Sequence, residues 1–163
     1  MKFSTTVGIS VGILAGLWTI GSSLAGLITY AGFLSWASFY AAGGKAEGLK
    51  TTLILNFSGV IWGAIIVGIS GLLGPVIGPT AGLGAGVAVG AAGMCWQGKI
   101  SWLGFIPGAF VGCSTYFAAG FDFTGSVIGL VFGAVLGYLS EQGGHLLEKK
   151  DEKNTVNTTA KEA

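Results

Sequence analysis

Six apolar runs, separated by short polar or glycine- and proline-bearing breaks, organise the first 143 residues. They fall at roughly 4–27, 28–44, 48–72, 76–96, 101–120 and 124–143. A helix needs about 20 apolar residues to cross a hydrocarbon core, so runs of this length placed back to back predict membrane spans. The second and fifth are shorter than that, and no charge marks the break near Leu27. The predicted architecture is all-α: a polytopic bundle of six transmembrane helices over residues 1–147, with halves at about 4–72 and 76–143.

The lysines supply an independent count. Basic residues near span ends stay on the cytoplasmic side. With six spans and a cytoplasmic start, Lys2, Lys45, Lys50, Lys99 and the tail lysines 149, 150, 153 and 161 all lie inside. The outer connections then fall near Leu27, at GLLGPVIGP (71–79), and at a turn carrying Asp122. Merging the first two runs would put Lys45 and Lys50 outside, so the lysines favour six spans and two cytoplasmic termini.

SFYAAG (38–43) returns as TYFAAG (115–120). A shift of 77 residues also lays Ala15-Gly16 on Ala92-Gly93, Phe33 on Phe110, Gly48 on Gly125 and Leu53 on Leu130. Three spans is an odd number, so a second copy enters the membrane upside down, as inverted repeats do in many transporters. Lys45 meets Asp122 in this register, as expected if a lysine were disfavoured at the outward-facing copy. Glycines recur every fourth residue at 8-12-16, 78-82-86-90, 104-108-112 and 125-129-133-137. Such stripes let helix backbones approach closely where lipid removes the hydrophobic drive for association.

Composition agrees. Hydrophobic residues make up 52% of the chain and charged ones 9%, well below the roughly one quarter of soluble domains. Mean hydropathy is +0.76. The start resembles a signal peptide, but the apolar run from Thr5 to Ile28 is longer than a usual signal core, so a retained first helix is expected. The last stretch, 148–163, is polar and mixed in charge and reads as a disordered cytosolic tail. Its Asn157-Thr158-Thr159 fits a glycosylation pattern by chance, given a cytosolic tail. Cys95 and Cys113 sit in apolar runs and read as buried thiols, and His145 reads as solvated; neither a disulfide framework nor a metal site is implied.

The spans hold no secure intramembrane charge: Asp122 and Glu141 sit near predicted ends, and there is no arginine. Proton relays and ion paths depend on such groups. Paired carboxylates and metal-ligand clusters are also lacking, so no enzyme, catalytic residue or cofactor is expected. What remains is polar and uncharged. Asn56, whose amide both donates and accepts, suits a passing neutral solute; the plainer reading is an interhelical hydrogen bond. Ser38 and Thr115 carry hydroxyls that also have partners in their own helices. Pro107, read as a kink six residues into the fifth helix, would free the Leu103 carbonyl. Trp36 and Trp62 fall near mid-membrane, where they either narrow a pore or fill the core. Trp96 and Trp102 bracket Lys99 like interfacial anchors, and Tyr40 and Tyr116 read as belt residues. Asp122 stands at the predicted outer mouth.

The segments AGFLSWASFYAAGG (31–44), GLK (48–50) and FIPGAFVGCSTYFAAG (105–120) resemble the YcdZ-like family of small bacterial inner-membrane proteins, a domain of unknown function numbered 1097. The likeness covers most of residues 5–143. It implies an inner-membrane location and a polytopic helical fold, and carries no site residues with it. Aquaporins are also built from inverted three-helix repeats, but their paired Asn-Pro-Ala motifs are absent. The leading functional expectation is a passive channel or facilitator for a small neutral or weakly charged solute. Its lining would come from Asn56, Trp36, Trp62, Ser38, Thr115 and the Leu103 carbonyl. The alternative is a non-conducting scaffold or accessory subunit. Expected partners are the lipid bilayer and further copies of the chain, with no nucleic acid.

Overall fold

The computed structural model describes residues 3–162, with side chains from Phe3 to Glu148. Six α-helices and one short 3-10 turn account for the described residues, without strands: α1 (Phe3–Leu24), α2 (Thr29–Ala41), α3 (Lys45–Ile77), α4 (Pro79–Gln97), the turn Ser101–Leu103, α5 (Ile106–Ala118) and α6 (Phe123–Glu162). Three of these, Phe3–Leu24, Lys45–Ile77 and the Phe123–Glu148 part of α6, are long and apolar enough to cross a membrane. At 13 residues each, α2 and α5 reach about 20 Å, short of a full hydrocarbon core.

The helices begin and end where local chemistry dictates, with two departures from expectation. The stretch 71–79, expected as an outer connection, is largely helix: α3 runs through Pro75 to Ile77 and turns on Gly78 alone. Proline in the last turn forfeits only its own bond to the Gly71 carbonyl. Gly78 adopts φ 93°, a conformation open to glycine, and Pro79 restarts the chain at the first turn of α4, where its missing N–H costs nothing. Pro107 is not a mid-helix kink either. Since α5 starts at Ile106, Pro107 lies in its first turn, and the Leu103 carbonyl belongs to a separate 3-10 turn, not to an α-helix that Pro107 could interrupt. At the far end, the helical backbone of α6 continues to Glu162, through the stretch read as a disordered tail. The Asn157-Thr158-Thr159 side chains lie outside the described residues.

The echoed hexapeptides are two copies of one helix stop. Gly43 and Gly44 donate to the Tyr40 and Phe39 carbonyls; Gly120 and Phe121 donate to those of Phe117 and Tyr116. This is the paired bonding of a Schellman motif, with the closing glycine left-handed in each copy (Gly43 φ 95°, Gly120 φ 63°). Small alanines before the glycine let the chain fold back on itself.

Packing exchanges the third helices. α3 lies chiefly against α4 and α5, while α6 lies chiefly against α1 and α2. Residue contacts fix the directions. Gly82, Gly86 and Gly93 of α4 meet Gly74, Ile66 and Trp62 of α3, an antiparallel pair; Gly144 of α6 meets Val7, and Phe132 stacks on Trp18, so α1 and α6 are also antiparallel. Gly129 and Gly133 meet Ala31 and Gly32, and Gly137 meets Phe39, setting α2 and α6 parallel. Gly108 and Gly112 meet Leu55 and Asn56, and Gly63 meets Tyr116, setting α3 and α5 parallel.

Three of the four glycine stripes make these contacts. A Cβ at Gly112 or Gly133 would overlap the backbone carbonyl of Asn56 or Gly32, so bare backbone is what allows the approach. The fourth stripe departs from expectation. Gly8, Gly12 and Gly16 face outward from α1 with open space where a Cβ would stand, because α1 turns Thr6, Ser10, Trp18 and Ser22 inward instead.

Candidate functional site

The polar residues singled out in the sequence form separate knots between helices. At the first, Asn56 on α3 is 1% exposed. Its Oδ1 accepts from Ser38 Oγ at 3.1 Å, and its Nδ2 donates to Ser35 Oγ at 2.8 Å. Ser35 and Ser38 lie one turn apart on the same face of α2, so the amide fits across both hydroxyls. Gly112 presses on the Asn56 backbone from the other side. Carboxamide, two hydroxyls and glycine together tie α2, α3 and α5.

Trp36 belongs to a second knot. Its indole N–H donates to Ser140 Oγ of α6 at 3.1 Å, and the Tyr40 hydroxyl shares that oxygen at 2.8 Å. Trp62 belongs to a third, donating to Gln97 Oε1 at 2.9 Å beside Ser58 Oγ at 2.7 Å, and so ties α3 to the end of α4. Thr115 is fully buried and donates to the Val111 carbonyl in its own helix. Of the six expected lining groups, Asn56 and Ser38 hydrogen-bond to each other.

Asp122 takes a structural role, and two further placements, those of Cys95 and Tyr116, depart from expectation. Asp122 caps α6: its Oδ1 accepts from the Gly125 amide at 2.9 Å, which satisfies one of the free donors of the first turn. Cys113 is buried but Cys95 is exposed, because α4 turns its glycines toward α3. Tyr116 is buried against Gly63 and the rings of Phe117, Phe121 and Phe123, far from a surface belt position.

Glu141 is the ionisable group whose role the sequence left unread. It is 8% exposed, and Oε2 accepts from the Lys45 backbone amide at 2.7 Å. Gly44 and Lys45 are both left-handed (φ 66° and 59°), which turns this amide toward the carboxylate. The first turn of α3, where the helix dipole favours negative charge, is thereby capped from the middle of α6.

An apolar, partly open groove of about 520 Å³ lies between α3, the 101–103 turn and α6. Leu53, Phe57, Ile61, Leu103, Leu130 and Val131 are among its walls, and Asn56 and Ser58 touch it. Asn56 and Leu103 thus border one space, on the flank of the bundle.

The model of a protein family of unknown function, DUF1097, matches residues 8–145. The chain belongs to the DUF1097 family. It is 36% identical over 161 residues to the uncharacterized protein YahC of Escherichia coli K12, covering 94% of this chain and 98% of that one. It is 30% identical to the inner membrane protein YcdZ of Salmonella typhimurium over 159 residues (97% and 98% of the two chains). It is 31% identical to the inner membrane protein YcdZ of E. coli K12 over 160 residues (94% and 93%). No solved structure matches this DUF1097 chain.

Proposed function

We propose that this DUF1097 protein crosses the bacterial inner membrane six times, as two inverted three-helix halves, and serves there as a non-conducting scaffold or accessory subunit without enzymatic activity. The observation that carries the scaffold reading is the buried Asn56–Ser35–Ser38 knot. The most pore-like polar group of the chain spends both ends of its amide on its neighbours at the crossing of three helices. The names of the YcdZ relatives support the location.

Inversion is supported by what a shift of 77 residues does. It carries the Gly137–Phe39 contact onto Val60–Tyr116, which pack in one cluster, and carries the Ala42, Gly43 and Gly44 bonds onto those of Ala119, Gly120 and Phe121. It also turns the packing of α3 on α4 and α5 into that of α6 on α1 and α2. The pair directions fit strict up–down alternation. The Phe3–His145 stack and the Lys45–Glu141 bond gather the starts of α1 and α3 with the far part of α6, which supports cytoplasmic termini. A reporter fused after Ala163 is expected to read cytoplasmic; a periplasmic reading overturns the topology. Association into homo-oligomers is part of the same proposal.

The groove beside Asn56 and Leu103 favours a second reading, a passive facilitator for a small neutral or weakly charged solute. Stopped-flow permeability of liposomes holding the purified chain separates the two. The scaffold predicts rates equal to empty vesicles across a solute panel. A faster rate for any solute, lost in Asn56→Leu, would refute it.

A further inference from the structure

We propose that the groove between α3, α6 and the 101–103 turn binds an anionic phospholipid of the inner leaflet, its acyl chain along the apolar wall and its phosphate between Lys50 and Lys99. The inference rests on the membrane orientation proposed above and adds a ligand to it.

The groove is nearly all apolar in lining and partly open, which suits an acyl chain. Two lysines adjoin its lining residues along the chain. Lys50 precedes Leu53, Ile54 and Phe57 by three, four and seven residues, so it stands on the groove face of α3, and it is exposed. Lys99 belongs to the tight turn that delivers Trp102 and Leu103 to the wall. That turn is held by Lys99 N–H on the Trp96 carbonyl and Leu103 N–H on the Ile100 carbonyl. Two carboxylates, Glu47 one turn before Lys50 and Glu141 on the Lys45 amide, are set against Lys45, Lys50 and Lys99. The cytoplasmic leaflet is the anionic one and attracts basic side chains at its surface.

A second copy of the chain in the groove would set the two lysines against an apolar helix face, so charge favours lipid.

Native mass spectrometry of the full chain in mild detergent tests this, titrating phosphatidylglycerol against phosphatidylcholine of the same chain length. Phosphatidylglycerol is expected to be retained preferentially. The Lys50→Gln, Lys99→Gln pair is expected to weaken it about 25-fold, at about fivefold per basic residue. Ile61→Trp, which fills the wall from an exposed position, is expected to weaken it comparably. Raised salt on the unaltered chain should reproduce the lysine effect without any substitution. Equal retention of both lipids, or an undiminished phosphatidylglycerol signal in the lysine variant, overturns the proposal. So does loss in the lysine variant alone with Ile61→Trp unaffected, which marks a charged patch only. A dimer peak abolished by Ile61→Trp also overturns it, since a second copy then fills the groove.

Discussion

Replacing Asn56 offers the sharpest test of how the bundle is held. The carboxamide makes two buried bonds across a helix interface, to Ser38 and to Ser35. Interhelical bonds of this kind contribute about 0.6 kcal/mol on average and up to about 1.7 in membranes, because the separated helices also find partners. Two such bonds imply a loss of about 1–3 kcal/mol for Asn56→Ala. Ser38 softens the loss by turning its hydroxyl back to its own helix. Ser35 has less recourse, since it loses a donor in a fully buried place. The informative quantity is the coupling in two double-mutant cycles, Asn56→Ala with Ser35→Ala and with Ser38→Ala. Unfolding of the purified protein in mixed micelles by increasing mole fraction of denaturing detergent gives each free energy. Coupling of about 0.5 kcal/mol or more in both cycles, larger with Ser35, is expected. Additivity within about 0.3 kcal/mol in both would mean that Asn56 does not tie α2 to α3.

Gly112→Val and Gly133→Val should each separate a helix pair and abolish a monodisperse folded peak in fluorescence-detected size exclusion; Gly12→Val, on the open face of α1, should leave that peak intact. Glu141→Ala removes the acceptor of the Lys45 amide, costing about 1 kcal/mol as capping losses do, with faster hydrogen exchange confined to the first turn of α3; Glu141→Gln should cost less. Thr52 is fully buried with an unpartnered hydroxyl, so Thr52→Val, close in shape, is expected to leave stability unchanged or raise it in the same micelle unfolding assay.

The helices were legible in the sequence because each leaves a local mark. Gly43, Gly78, Gly120 and the prolines at 79 and 107 are punctuation with a mechanism. Pro107 misled only because the apolar residues before it hid a break that Gly98 and Gly104 already signalled. Packing was less legible. Between helices of equal apolarity nothing in the chain marks which neighbour each one chooses, so the exchange of α3 and α6 came from the coordinates. The knots around Asn56 were half visible: the amide stood out, but its partner Ser35, and the pairing of Trp36 with Ser140 and of Trp62 with Gln97, join residues far apart in the chain. Glu141 stayed hidden because its position near a predicted helix end suggested water, whereas α6 continues well past it and holds the carboxylate against the start of α3.

The exchange of long helices bears on how the protein is made. A ribosome delivers α1, α2 and α3 before α4 and α5, the main surfaces that α3 will occupy, exist, and α6 closes the bundle only when synthesis is nearly over. The nascent front half must therefore wait in the bilayer with its longest segment matched only to α2, available to insertases and quality-control proteases. Severing the gene at the codon for Gly78 should give two products that are each degraded when expressed alone and rescued when expressed together.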